Sequence, residues 1–165
     1  MSAVGRRAQG ALAAADVSWV RSLHGQAVAI SKWAGGSEGS DGAALTQPED
    51  DCAQPALNPA QTEIAMICTP VVNGAPSSTE SDLVVASFDA ATGTLGPLDR
   101  LVVGTMAASP AWSPDGTDLI YLAPEAGDGY FELWYLKGAA TATPSLAKQV
   151  TSDLDLDGSA PVWTT

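Results

Sequence analysis

Positive charge is scarce in this chain: seven Lys+Arg stand against nineteen Asp+Glu, for a formal net charge of -12 over 165 residues. The resulting field repels phosphate backbones and anionic headgroups, which excludes nucleic acid and membrane surfaces as natural partners. Long apolar runs are missing too. No stretch approaches the roughly 20 continuous apolar residues of a spanning helix, so no membrane insertion and a soluble protein are expected. Helical periodicity is equally rare, with Ala11–Ala15 the one Ala-rich candidate. Histidine is reduced to His24 and cysteine to Cys52 and Cys68. No further Cys or nearby His completes a tetrahedral metal set around that pair.

What is present is strand. The chain is 45% hydrophobic, enough for one domain with a core. Short apolar or alternating runs recur between turn signals at Gln26–Ile30, Glu63–Cys68, Asp82–Phe88, Leu119–Leu122 and Tyr130–Leu136. Gly35–Gly42 and Val72–Ser81 read as loops. Residues 1–16 read as an N-terminal extension or short helix. Arg6-Arg7 ahead of Ala11–Ala15 has the order of an export signal, but the apolar run is shorter than the roughly 7–15 residues such a signal needs.

The strongest pattern is internal repetition. Ser109-Pro110-Ala111-Trp112-Ser113-Pro114-Asp115-Gly116, followed by Leu119-Ile120-Tyr121-Leu122, is echoed by Gln54-Pro55-Ala56-Leu57-Asn58-Pro59-Ala60-Gln61 and Ile64-Ala65-Met66-Ile67. A third start stands at Ala160-Pro161-Val162-Trp163, and a worn one at Val17-Ser18-Trp19. Ser113-Pro114-Asp115-Gly116 has the chemistry of a hairpin turn. Pro presets φ and Gly supplies the left-handed residue that reverses the chain. Leu119–Leu122 is continuously apolar, as a strand buried on both faces must be.

This order, with Leu/Val-Thr, an Asp-rich link, Pro-Ala-Trp-Ser-Pro-Asp-Gly and an apolar strand, resembles the TolB-like β-propeller repeat. The likeness is closest over Leu101 to Thr165, weaker over Leu45 to Phe88 and weakest before residue 45. It implies an all-β fold of radial, four-stranded antiparallel blades, with units near 17–44, 45–100 and 101–148 and a partial unit at 149–165. About three blades fall short of the roughly 4–8 that close a propeller. The expectation is therefore an incomplete propeller, either a fragment or a chain that pairs with another copy or another protein. The unpaired run Pro161–Thr165 would invite strand addition. The likeness also implies protein partners and a periplasmic, extracellular or surface setting, with the cytoplasm as the alternative.

Candidate chemical sites are few. Gly35-Gly36-Ser37-Glu38-Gly39 matches Gly-x-Ser-x-Gly, but Ser37 lies in a Gly/Ser loop and His24 precedes it, the wrong order for a hydrolase elbow. Asp153-Leu154-Asp155-Leu156-Asp157-Gly158 has the opening spacing of a calcium loop, with Asp153, Asp155 and Asp157 as ligands. The twelfth position holds Thr164 rather than Glu, so an acidic link between blades is the rival reading. No other cofactor is implied.

If Leu57 faces Ile64, Cys52 falls opposite residue 69, one off Cys68. A bulge would bring the thiols together as a disulfide, which belongs to oxidising compartments; two reduced buried thiols are the alternative. Trp19, Trp112 and Trp163 recur at equivalent positions, as packing residues do; Trp134 lies in a later strand and Trp33 falls outside the pattern. No nucleophile is placed with a base and an oxyanion donor. A non-catalytic binding or scaffolding module is expected, with the gating or accessory domain of a hydrolase as the alternative.

Overall fold

The computed structural model describes residues 16–19, 30–33, 43–126, 129–141 and 145–164. Among them the fold is all-β: several antiparallel sheets, no α-helix and no closed barrel. Ser37 and His24 lie outside the described residues. So do the side chains of Trp19 and Trp33.

The N-terminal sheet has three strands in the order β1 (Asp16–Trp19), β2 (Ile30–Trp33) and β3 (Ala43–Ala44). Its second strand begins where the expected run Gln26–Ile30 ends. A 3-10 turn at Pro48–Asp50 leads into the middle sheet. This sheet comprises β4 (Cys52–Leu57), β5 (Glu63–Cys68), β8 (Asp82–Asp89) and β10 (Asp99–Val102), side by side in that order. Between β5 and β8 the chain makes a small hairpin of β6 (Val71–Val72) and β7 (Ala75–Pro76), and β9 (Thr94–Leu95) adds to the end of β8. The segment read as loop thus contains a hairpin. Asn73 and Gly74, both at positive φ (53° and 80°), supply the two left-handed residues that a tight two-residue turn demands.

The C-terminal sheet is a meander of β11 (Ala108–Trp112), β12 (Leu119–Pro124), β13 (Phe131–Leu136) and β14 (Lys148–Gln149). β10 crosses the boundary expected at residue 100, because Arg100 and Val102 pair with Val84 and Leu83 of β8.

Burial follows the strand period of two. Ala65 and Ile67 of β5, with Leu83 and Val85 of β8, face the C-terminal sheet and pack with Trp112, Leu119 and Tyr121. Ile64, Met66 and Cys68 point the other way and pack with Cys52, Val84, Ala86 and Phe88. The middle sheet is therefore buried on both faces, which is why β5 is apolar throughout after Glu63.

Candidate functional site

The first strands of the middle and C-terminal sheets share one irregularity. The β4–β5 register shifts between Ala53 and Ala56, and the β11–β12 register between Ala108 and Ala111. Each bulge holds a residue at positive φ, Gln54 at 52° and Ser109 at 50°. Each precedes a proline, which has no N–H to place in a ladder. The extra residue bends the strand and brings the two bulges together: the Ser109 N–H donates to Gln54 Oε1.

Alignment continues along the strands. Trp112 Nε1–H donates to the Ala56 carbonyl at 2.9 Å, and Trp163 Nε1–H donates to the Ala111 carbonyl at 3.2 Å. Trp163 also meets Tyr135 edge to face, ring centroids 6.3 Å apart. β4, β11 and the segment around Pro161 so form a row. Gln54, Pro55, Ser109, Pro110, Ala160 and Pro161 line an open recess of about 200 Å³ along it.

The turns beyond these strands also correspond. Asn58 N–H donates to the Glu63 carbonyl and Ser113 N–H to the Asp118 carbonyl, each at 2.9 Å. Gln61 and Gly116 close them from positive φ, 56° and 74°. The side chains differ. Asn58 Oδ1 accepts from the N–H groups of Thr62 and Glu63, whereas Ser113 Oγ accepts from Asp118 N–H and donates to Asp115. Hydrogen bonds from Ser113 and Thr117 hold the exposed Asp115 carboxyl below its usual range.

Cys52 and Cys68 form a disulfide. The bulge in β4 supplies the missing residue of register and sets Cys52 directly opposite Cys68. Both are fully buried.

The three candidate calcium ligands lie on the segment that follows β14. Asp153, Asp155 and Asp157 are exposed, and no group of three His, Cys, Asp or Glu able to hold a metal forms among the described residues. Asp153 and Asp155 sit at positive φ (60° and 49°), and the backbone turns its N–H groups inward onto the carboxylate of Glu132. Leu154 N–H donates to Glu132 Oε1 at 2.6 Å and Thr151 Oγ1–H to Oε2, so the turn is an anion nest filled by the protein itself. Burial pushes the Glu132 carboxyl up, but the bonds from Thr151, Leu154 and Asp155 outweigh it and hold the group below its ordinary value.

Glu132 is the residue that sequence reasoning missed. Its signal was a lone carboxylate in an apolar strand. Asp82, at the start of β8, does the matching work in the middle sheet: it is buried, paired with Arg100 and accepts from Gly104 N–H at 3.3 Å.

A second recess, of about 240 Å³, lies at the opposite end of the sheets, with Glu63, Ser87, Asp99 and Thr141 in its wall. Burial raises the Glu63 carboxyl, whose Oε2 is enclosed without a hydrogen-bond partner among the described residues. Tyr121 is buried between the sheets and its phenol is pushed up to about 12, which keeps it protonated as a packing group. Trp134 Nε1–H donates to the Ala123 carbonyl at 3.1 Å, an internal bond of the sheet.

Comparison of the chain with protein-family models and with curated proteins gives no match. Among the described residues no helix is long and apolar enough to cross a membrane.

Proposed function

We propose that the chain is a non-catalytic protein-binding or scaffolding module built of propeller-like blades, completed by a second copy or by a partner chain. The observation that carries this reading is the pair of indole bonds, Trp112 to Ala56 and Trp163 to Ala111, which join β11 to β4 and the segment around Trp163 to β11 in the same way. The matched bulges, the matched turns and the four-strand order of both larger sheets support it. So do the repeat in the sequence and its likeness to TolB-like blades, whose kind implies protein partners.

The buried Cys52–Cys68 bridge fits a periplasmic, secreted or surface setting, where such bonds persist. The non-catalytic reading rests on the lack, in the sequence, of a nucleophile ordered with its base. Fold alone assigns no task, so the test is physical. Light scattering on the purified chain is expected to give twice the chain mass, with one cooperative thermal transition. A monomer with an equally sharp transition removes the need for completion and counts against the reading.

A further inference from the structure

The two ends of the sheets are chemically unlike. One end collects the β5–β8 and β12–β13 connections together with the segments that leave β10 and β14. The pairs Cys68 with Asp82 and Leu83 with Val102 set this end in the middle sheet. The five residues between Val102 and Ala108 carry it into the C-terminal sheet, tied down where Ser81 N–H donates to the Thr105 carbonyl and Ala107 N–H to the Ser81 carbonyl. The β14 exit joins the same end, since Leu156 N–H donates to the Phe131 carbonyl at the start of β13.

Most of the large apolar side chains that face solvent gather here: Val71, Val72, Val103, Met106, Tyr130 and Leu154, with Val72, Val103 and Leu154 at 54%, 62% and 57% exposure. Of the other exposed ones among the described residues, Leu146 stands at the far end, Val150 beside Leu133 of β13, and Val162 next to the Trp163 that bonds to β11. Scattered exposed apolar residues need no explanation, but their collection on one end does. They are also held out rather than left loose. Val71 and Val72 stand on the hairpin fixed by Asn73 and Gly74, and Leu154 rides on the turn that Glu132 anchors.

The same end is acidic. Glu80, Asp153, Asp155 and Asp157 are exposed there. Of the basic residues whose side chains are described, Arg100 is paired with Asp82, Lys137 follows β13 at the far end and Lys148 lies on the edge strand β14. We infer that this end is the docking surface of the module and that its partner is a protein segment carrying apolar side chains beside Lys or Arg. The inference rests on the binding-module reading and adds the face and the chemistry of the partner. Acidic side chains around apolar ones steer a cationic partner and repel another acidic chain, so a second copy is not the occupant.

The test uses the full chain and a short fluorescent peptide alternating Lys and Val, with anisotropy as readout. A peptide alternating Lys and Ser matches its charge, and one alternating Glu and Val reverses it. The Lys–Val peptide is expected to bind, with the other two much weaker. The double variant Val72→Lys, Leu154→Lys should weaken that binding roughly tenfold or more, whereas the double variant Leu146→Lys, Thr94→Lys, at the far end with the same charge change, should not. Equal weakening by both variants, equal binding of the Lys–Ser peptide, or no binding of the Lys–Val peptide overturns the inference. None of these outcomes touches the light-scattering result, on which the scaffold reading stands separately. Circular dichroism confirms that each variant folds.

Discussion

The middle and C-terminal sheets reach the same backbone by different chemistry. Both begin with a bulged strand, turn through a residue at positive φ and bury an acidic side chain on the third strand. The middle sheet holds its first two strands with a disulfide, closes its turn with Asn58 and neutralises Asp82 with Arg100. The C-terminal sheet has no such bridge. It uses an indole bond across to its neighbour, a Ser–Asp turn and a nest of N–H groups around Glu132. Backbone geometry is thus the shared quantity, and any group that satisfies the same donors and acceptors serves.

The largest blow to this comparison is Trp112→Ala. Trp112 lies between the sheets and is bonded to the middle one, so its loss should cost about 3–5 kcal/mol in denaturant unfolding and loosen both. Loss confined to the C-terminal sheet, read by hydrogen exchange, would break the claim that the indole is a joint. Next comes the double variant Cys52→Ala, Cys68→Ala, which opens a loop of sequence separation 16 and should cost about 3 kcal/mol. Exchange should rise in β4 and β5 and stay unchanged in β12 and β13.

Gly116→Ala tests the shared turn. Its φ of +74° and a neighbour, Pro59 Cδ, 3.3 Å from the added methyl carbon predict a loss of roughly 1–2 kcal/mol. The smallest effect is expected on the acid side, at Glu132. Its carboxyl is held below the ordinary 4.5, so its contribution is complete above that value and lost as pH falls through the lower value of the folded protein. Melting temperature should drop on that side, and Glu132→Gln should flatten the drop. An unchanged acid profile in the variant would remove the nest from the account.

Much of the all-β pattern was legible in the sequence because strand period and turn chemistry are local. Glu63–Cys68 is apolar after its first residue, and β5 has those bounds. The cysteine pair was legible up to one residue of register, which the Gln54 bulge supplied. The contacts of the Asp-rich link were not legible, because spacing reveals where carboxylates stand along a chain and not which way the backbone N–H groups point. Positive φ at Asp153 and Asp155 turned those groups onto Glu132, a partner more than twenty residues away from the loop's first anchored amide. The docking end was invisible for a related reason: Val72, Val103 and Leu154 are brought to one end only by the sheet topology.

The indole joints also bear on how such a chain tolerates growth. Ala56 offers the carbonyl that Trp112 takes, and Ala111 offers the one that Trp163 takes. The C-terminal unit therefore presents an acceptor, Ala111, on one side and a donor, Trp112, on the other, like the two halves of a zip fastener, whereas the middle unit holds Leu57 at the donor's place. A duplication of the segment from Ala111 to Pro161 would meet at its new seam the same carbonyl and the same indole already used at the old one. Lengthening by that unit then needs no new kind of indole joint.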